Sequence, residues 1–95
     1  ANISYEMENY KDAISDYDFY LMDHDDPVAL GNRGYCHYML ENLDKALEDL
    51  NACIELKDDY AWAYFTRGQI FQKQEKFDEA KADYEKANTL MDEAG

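Results

Sequence analysis

The stretch DHDDP, residues 23 to 27, gathers Asp23, His24, Asp25 and Asp26, three carboxylates and an imidazole of the types that hold divalent cations. It lacks the glycine and the closing glutamate of a calcium loop, so its expected role is a solvated connection with no metal. Cys36 and Cys53 form no CxxC pair and have no histidine at zinc-finger spacing, so they read as two reduced thiols acting as small core residues. Arg33 and Arg67 are the third set. A guanidinium takes a carboxylate through two parallel hydrogen bonds, and Asp16, Asp49 and Asp83 recur at one register, so structural ion pairs are favoured over ligand-binding cations. For catalysis the chain offers no serine–histidine–acid set with supporting glycines, no phosphate loop and no HExxH. Acid pairs such as Glu48 and Asp49 fall on the outside of helices, where nothing tunes a carboxylate. No catalytic residue, no cofactor and no enzymatic activity are expected.

The elements that must position these residues are helices. The chain of 95 residues is 46% hydrophobic and carries one proline and four glycines, which points to a single all-α domain. LENLDKALEDL (40 to 50) returns as QEKFDEAKADY (74 to 84), with Glu41, Asp44, Ala46 and Asp49 meeting Glu75, Asp78, Ala80 and Asp83. Gly34 and Gly68 share that offset of 34 positions, as do Ala29 and Ala63, and Leu56 and Leu90. MENYKDAISDY (7 to 17) aligns at an offset of 33, which makes the first inter-repeat loop one residue short. Internal repetition of this period marks a stack of helical hairpins. Asn9 and Asn42 stand where a left-handed residue would turn the chain between two helices. A mid-helix glycine costs about 1 kcal/mol relative to alanine. Its recurrence at one register therefore marks a neighbouring helix too close for a side chain, with Ala46 and Ala80 as the other side of the contact.

With small residues at Gly34, Ala46 and Cys53, then Gly68, Ala80 and Ala87, and large ones at Tyr64, Phe71 and Tyr84, the chain resembles the tetratricopeptide repeat family. The likeness covers about two and a half units: residues 1–26 as a partial repeat, then 27–60 and 61–95. His37 stands where an aromatic is usual, Arg33 and Arg67 where leucine is commonest, and Tyr20 at a small-residue site. The resemblance implies a right-handed α-solenoid and a non-enzymatic scaffold whose first helices line a concave groove for a peptide or protein segment. The groove positions map to Val28, Asn32, Tyr35, Tyr38 and Met39, then to Trp62, Phe65, Thr66, Gln69 and Lys73. Rings supply area and amides hydrogen-bond a peptide backbone. One subclass of the family grips the terminal carboxylate of chaperone tails with lysines, arginine and asparagines. Asn32 matches one asparagine, but Trp62 and Thr66 replace two of the bases, and an unpaired carboxylate there would cost several kcal/mol. That mode is not expected.

The net charge of −13 disfavours nucleic acid and anionic lipid, both of which need a basic face, and makes a basic or neutral protein the expected partner. No apolar run reaches the length of a membrane span. A shortened first unit and the lack of a polar helix after MDEAG mark the chain as a piece of a longer array, or as one that covers its ends by self-association. Homo-oligomerisation through the uncapped ends, with Tyr10, Ile14 and Tyr17 at one and Tyr84, Leu90 and Met91 at the other, is the alternative to groove binding. A catalytic or metal-binding helical protein is a remote third class.

Overall fold

The structure, a computed structural model, describes residues 3–94, with the side chains of residues 8–93. Five helices follow one another: α1 (Ile3–Leu21), α2 (Pro27–Met39), α3 (Leu43–Leu56), α4 (Ala61–Lys73) and α5 (Phe77–Ala94). Loops of three residues, 40–42 and 74–76, fold α2 back on α3 and α4 back on α5, which are the two most extensive packings. α1 lies against α2, α3 against α4, and α2 also touches α4. The result is the all-α helical-repeat solenoid expected from the periodicity.

Local chemistry accounts for the boundaries. Asp26 caps α2 by accepting the Val28 N–H at 2.9 Å, and Pro27 fills the first helical position, where its missing donor costs nothing. Both hairpin turns close in the same way. Asn42 N–H donates to the His37 carbonyl at 2.8 Å and Glu41 N–H to that of Tyr38, while Lys76 N–H donates to Phe71 at 2.8 Å and Glu75 N–H to Gln72. This is the Schellman pattern, and it places the left-handed residue immediately before Asn42 and Lys76. Glu41 (φ 65°) and Glu75 (φ 63°) therefore turn the chain, not Asn42, whose φ is −87°. No turn occurs at Asn9 either: the backbone continues as α1 through residues 3–21, with the side chains of residues 3–7 outside the described ones.

The core is a cluster of Ala46, Leu50, Cys53, Ala63 and Ile70, with Leu30, Leu43, Leu47, Ile54 and Tyr60 packed around it. Gly34 and Gly68 are the close approaches that their repetition implied. A methyl on Gly34 would lie 3.1 Å from Leu50 Cγ and 3.2 Å from the Ala46 carbonyl oxygen, and one on Gly68 would lie 2.9 Å from the Tyr84 ring and 3.3 Å from the Ala80 oxygen. Each hairpin thus brings its first helix onto the backbone of the central alanine in its second.

Candidate functional site

The arginines are used by the fold. Arg33 donates from Nε and Nη2 to the two oxygens of Asp49 at 2.8 and 2.7 Å, and from Nη1 to Asp18 at 2.8 Å. Arg67 repeats the arrangement, donating to both oxygens of Asp83 at 2.8 Å and, through Nη1, to Asn51 at 3.0 Å. Each guanidinium ties three helices: the second helix of the preceding pair, its own helix and that helix's partner. Bonding to the carboxylate holds both arginines above their ordinary pKa. Asp49 and Asp83 take the paired roles expected of them, although Asp49, also read as lying on the outside of its helix, is buried against Arg33; Asp16 does not pair with either arginine, and Asp18 supplies the α1 end of the first staple. His37 lies beside that staple, buried, with Nε2 3.9 Å from Asp49 and Nδ1 without a hydrogen-bond partner. Burial lowers its pKa.

DHDDP is also occupied. The His24 ring stacks on Tyr20 with centroids 4.3 Å apart, its Nδ1 lies 3.0 Å from the Tyr20 carbonyl oxygen, and the Tyr20 hydroxyl donates to Asp26 at 3.1 Å. Tyr20, too large for its small-residue register, has turned outward and closes the short loop from outside. Burial pushes the Cys53 thiol up to about 11 and raises that of Cys36, as suits inert core thiols.

Several of the expected groove residues assemble into an aromatic row. Trp62 tilts against Tyr35 with centroids 5.5 Å apart and against Tyr60 at 6.0 Å, and Tyr35 reaches Tyr38 at 6.3 Å and Tyr10 at 6.5 Å. The indole can lie this close to α2 because Gly31 faces it: a methyl there would meet Trp62 Cζ3 at 3.1 Å. Lys73 Nζ sits 5.5 Å from the centre of the Tyr38 ring and 3.9 Å from Glu41, so its charge is partly met within the chain. Val28 and Met39 are exposed, and Asn32 and Gln69 are half-buried. Phe65 is exposed but leans toward α5, 5.5 Å from the Tyr84 ring. Thr66 is the exception among the ten. It is 1% exposed with its hydroxyl unpaired, because its position on α4 faces the core, and it offers no surface to a partner.

Two hollows are lined in part by the expected groove residues. One, of about 350 Å³, opens between α1 and α2 and is lined by Asp16, Tyr17, Tyr20, Asp26, Val28 and Asn32. The other, of about 550 Å³ and mainly apolar, lies between α4 and the end of α5, with Tyr60, Trp62, Phe65, Leu90 and Met91 in its wall. Sequence reasoning restricted to first helices named Val28, Asn32, Trp62 and Phe65 but missed the contributions of α1 and α5. The signal for α1 was Tyr20 itself, an oversized residue in a small-residue register.

Comparison with known proteins places this geometry. The tetratricopeptide repeat family model matches residues 25–93. DnaJ homolog subfamily C member 7 of Homo sapiens is 42% identical over 55 residues, covering 58% of this chain and 11% of the relative. Dynein axonemal assembly factor 4 of Rattus norvegicus is 34% identical over 96 aligned positions, covering 92% of this chain and 23% of the relative. The chain therefore spans less than a quarter of either protein. Among solved structures, the first TPR of Spaghetti (RPAP3), bound to the HSP90 peptide SRMEEVD, superposes with a TM-score of 0.83 at 31% identity, covering 90% of this chain and 69% of that one. The second TPR of the same protein, bound to the same peptide, superposes with a TM-score of 0.81 at 27% identity, covering 85% and 76%.

Proposed function

This chain belongs to the tetratricopeptide repeat family, and on that premise we propose that it is a non-enzymatic interaction module. Its aromatic row between α2 and α4 takes a neutral or basic protein segment. The observation that carries this is the placement of Tyr35, Tyr38 and Trp62 side by side and half-buried, with hollows at Val28 and at Trp62 that leave room for side chains of a partner. Rigid rings that are already packed contribute contact area at little conformational cost. The solved neighbours, each bound to a peptide, support the use of such a surface for peptide recognition.

The charge of the partner follows from how the cations of the first helices are used. Arg33 and Arg67 are held by Asp49 and Asp83, Lys73 is shared with Glu41 and Tyr38, and the chain as a whole carries −13. An acidic tail meets repulsion and no free cation among the described residues of the two hollows. The neighbours' acidic ligand nevertheless sets the second reading, in which the same surface takes a tail such as SRMEEVD.

One titration separates the two. Trp62 is the sole tryptophan, so its fluorescence reports occupancy of the row directly. SRMEEVD and its amidated counterpart SRMKKVK are added to the intact chain at physiological salt. The proposal expects the lysine peptide to shift Trp62 emission at lower concentration. Tighter binding by SRMEEVD overturns the charge assignment in favour of the second reading.

A further inference from the structure

The two hollows differ in chemistry, and comparing equivalent junctions within the chain shows why. At the α3–α4 junction Trp62 and Tyr60 fill the space beside Gly31, with Cys53 fully buried beneath them. At the α1–α2 junction the residue 34 positions before Trp62 is Val28, and the one before Tyr60 is Asp26. An isopropyl group replaces an indole, and a carboxylate replaces a phenol. Tyr20, at the register of Cys53, has turned outward to His24. The first hollow is lined by Tyr17, Tyr20, Val28 and Ala29 together with Asp16, Asp26 and Asn32. Asp26 is engaged by Val28 N–H and the Tyr20 hydroxyl, both neutral donors, and no described residue pairs with Asp16. The other hollow is mainly apolar, with Trp62, Phe65, Leu90 and Met91, the last 51% exposed, and with Asp59, which is paired with Lys57, at its margin.

Building on the groove reading, we propose that the bound segment is anchored at two points: a lysine or arginine in the α1–α2 hollow, and a bulky apolar side chain in the α4–α5 hollow. The stem of a long cationic side chain lies along the Tyr17 and Tyr20 rings, and its head reaches Asp16 and Asp26, a combination of cation–π and charge-assisted contact that a neutral side chain cannot reproduce. Val28 lines the first hollow, and Trp62, at the same register in the next unit, lines the second. The segment therefore binds in one direction, its basic residue toward α1 and its apolar residue toward α5.

A second copy of this chain does not suit either hollow. Residues 1–26 hold eight acids against Lys11, so the α1 end repels its own kind. On α5, Lys81 and Asn88 stand where α3 has Leu47 and Ile54, which puts polar groups among the exposed Phe77 and Met91 of that face.

The test is selection of short random peptides displayed on phage against the intact chain and two variants. Asp16→Lys and Met91→Lys each alter an exposed residue outside the core. Peptides selected on the parent are expected to share one lysine or arginine and one bulky apolar residue in fixed order. Their affinity should fall about tenfold or more on Asp16→Lys, and fresh selection on that variant should lose the basic residue while keeping the apolar one. Met91→Lys should do the reverse. Selected peptides that compete with one another and perturb Trp62, yet carry no shared basic residue or are indifferent to Asp16→Lys, overturn the two-anchor proposal and leave the groove standing. Failure of any peptide to enrich on the folded parent overturns the groove reading and this proposal with it.

Discussion

At the scale of single residues, most of the chemistry that looks available is spent on holding helices together. Arg67 meets a nearly buried Asp83, so Arg67→Met should strand that carboxylate and destabilise the fold by roughly 3–5 kcal/mol in chemical denaturation. Adding Asp83→Leu should recover much of the loss, because replacing both partners of a buried pair is far less costly than removing one. Removing Asp49 in that background should not help, since Asp49 belongs to Arg33. His37 gives the fold an acid-sensitive point. Burial lowers its pKa from 6.5, outweighing the pull of Asp49, while Lys45 and Arg33 push the same way as burial. The unfolded chain then binds more protons below that value, so this contribution is complete above about pH 6.5 and is lost as pH falls toward the depressed folded value. His37→Phe should flatten the fall in melting temperature across that window, while a parent-like slope would place the sensitivity elsewhere. The pairing of arginine with aspartate was legible because both recur at one register. The choice of Asp18 over Asp16 was not, since it depends on how α1 is rotated against α2, which spacing alone does not specify.

At the scale of elements, the helices and their pairing were readable from the repeated apolar, glycine and alanine positions, and the turns were misread by one residue. Asparagine at 42 looked like the left-handed position because its side chain tolerates that conformation, yet the Schellman hydrogen bonds put the reversal on Glu41. A left-handed non-glycine residue costs roughly 1–2 kcal/mol, so Glu41→Gly and Glu75→Gly should each stabilise the chain by about 0.5–1 kcal/mol after the extra chain entropy of glycine is subtracted. An unchanged or lower denaturation midpoint would contradict the turn assignment. Gly34→Leu should cost about 1–3 kcal/mol or more, because the new side chain meets Leu50 and the Ala46 backbone at once. The hollow between α1 and α2 was hidden from the pattern for a related reason. Its lining comes from two helices, Tyr17 and Tyr20 of α1 with Val28 and Asn32 of α2, and apart from the oversized Tyr20 the spacing within either helix does not show that they share a wall.

At the scale of the whole molecule, an acidic stack of helices carries a row of rings, a mainly apolar hollow that Tyr60 and Trp62 help to line, and a second hollow whose lining includes Asp16 and Asp26. Its expected tendency to associate through like ends meets like charge at α1 and the polar positions Lys81 and Asn88 on α5. Sedimentation equilibrium should find a monomer at physiological salt, and a dimer dissociated by Met91→Lys would restore the assembly reading. Long-range attraction of a basic partner should weaken as salt shortens the reach of the field, from a screening length of about 10 Å at 0.1 M to about 3 Å at 1 M. The most direct measurement is the map of backbone amide shifts when a phage-selected peptide is titrated into the isotope-labelled chain. The account predicts perturbations concentrated at Val28, Asn32, Tyr35, Trp62 and Gln69, with the Arg33–Asp49 and Arg67–Asp83 side of the stack unmoved. Shifts centred on those ion pairs or on the outer face of α1, with the Trp62 row silent, would contradict it.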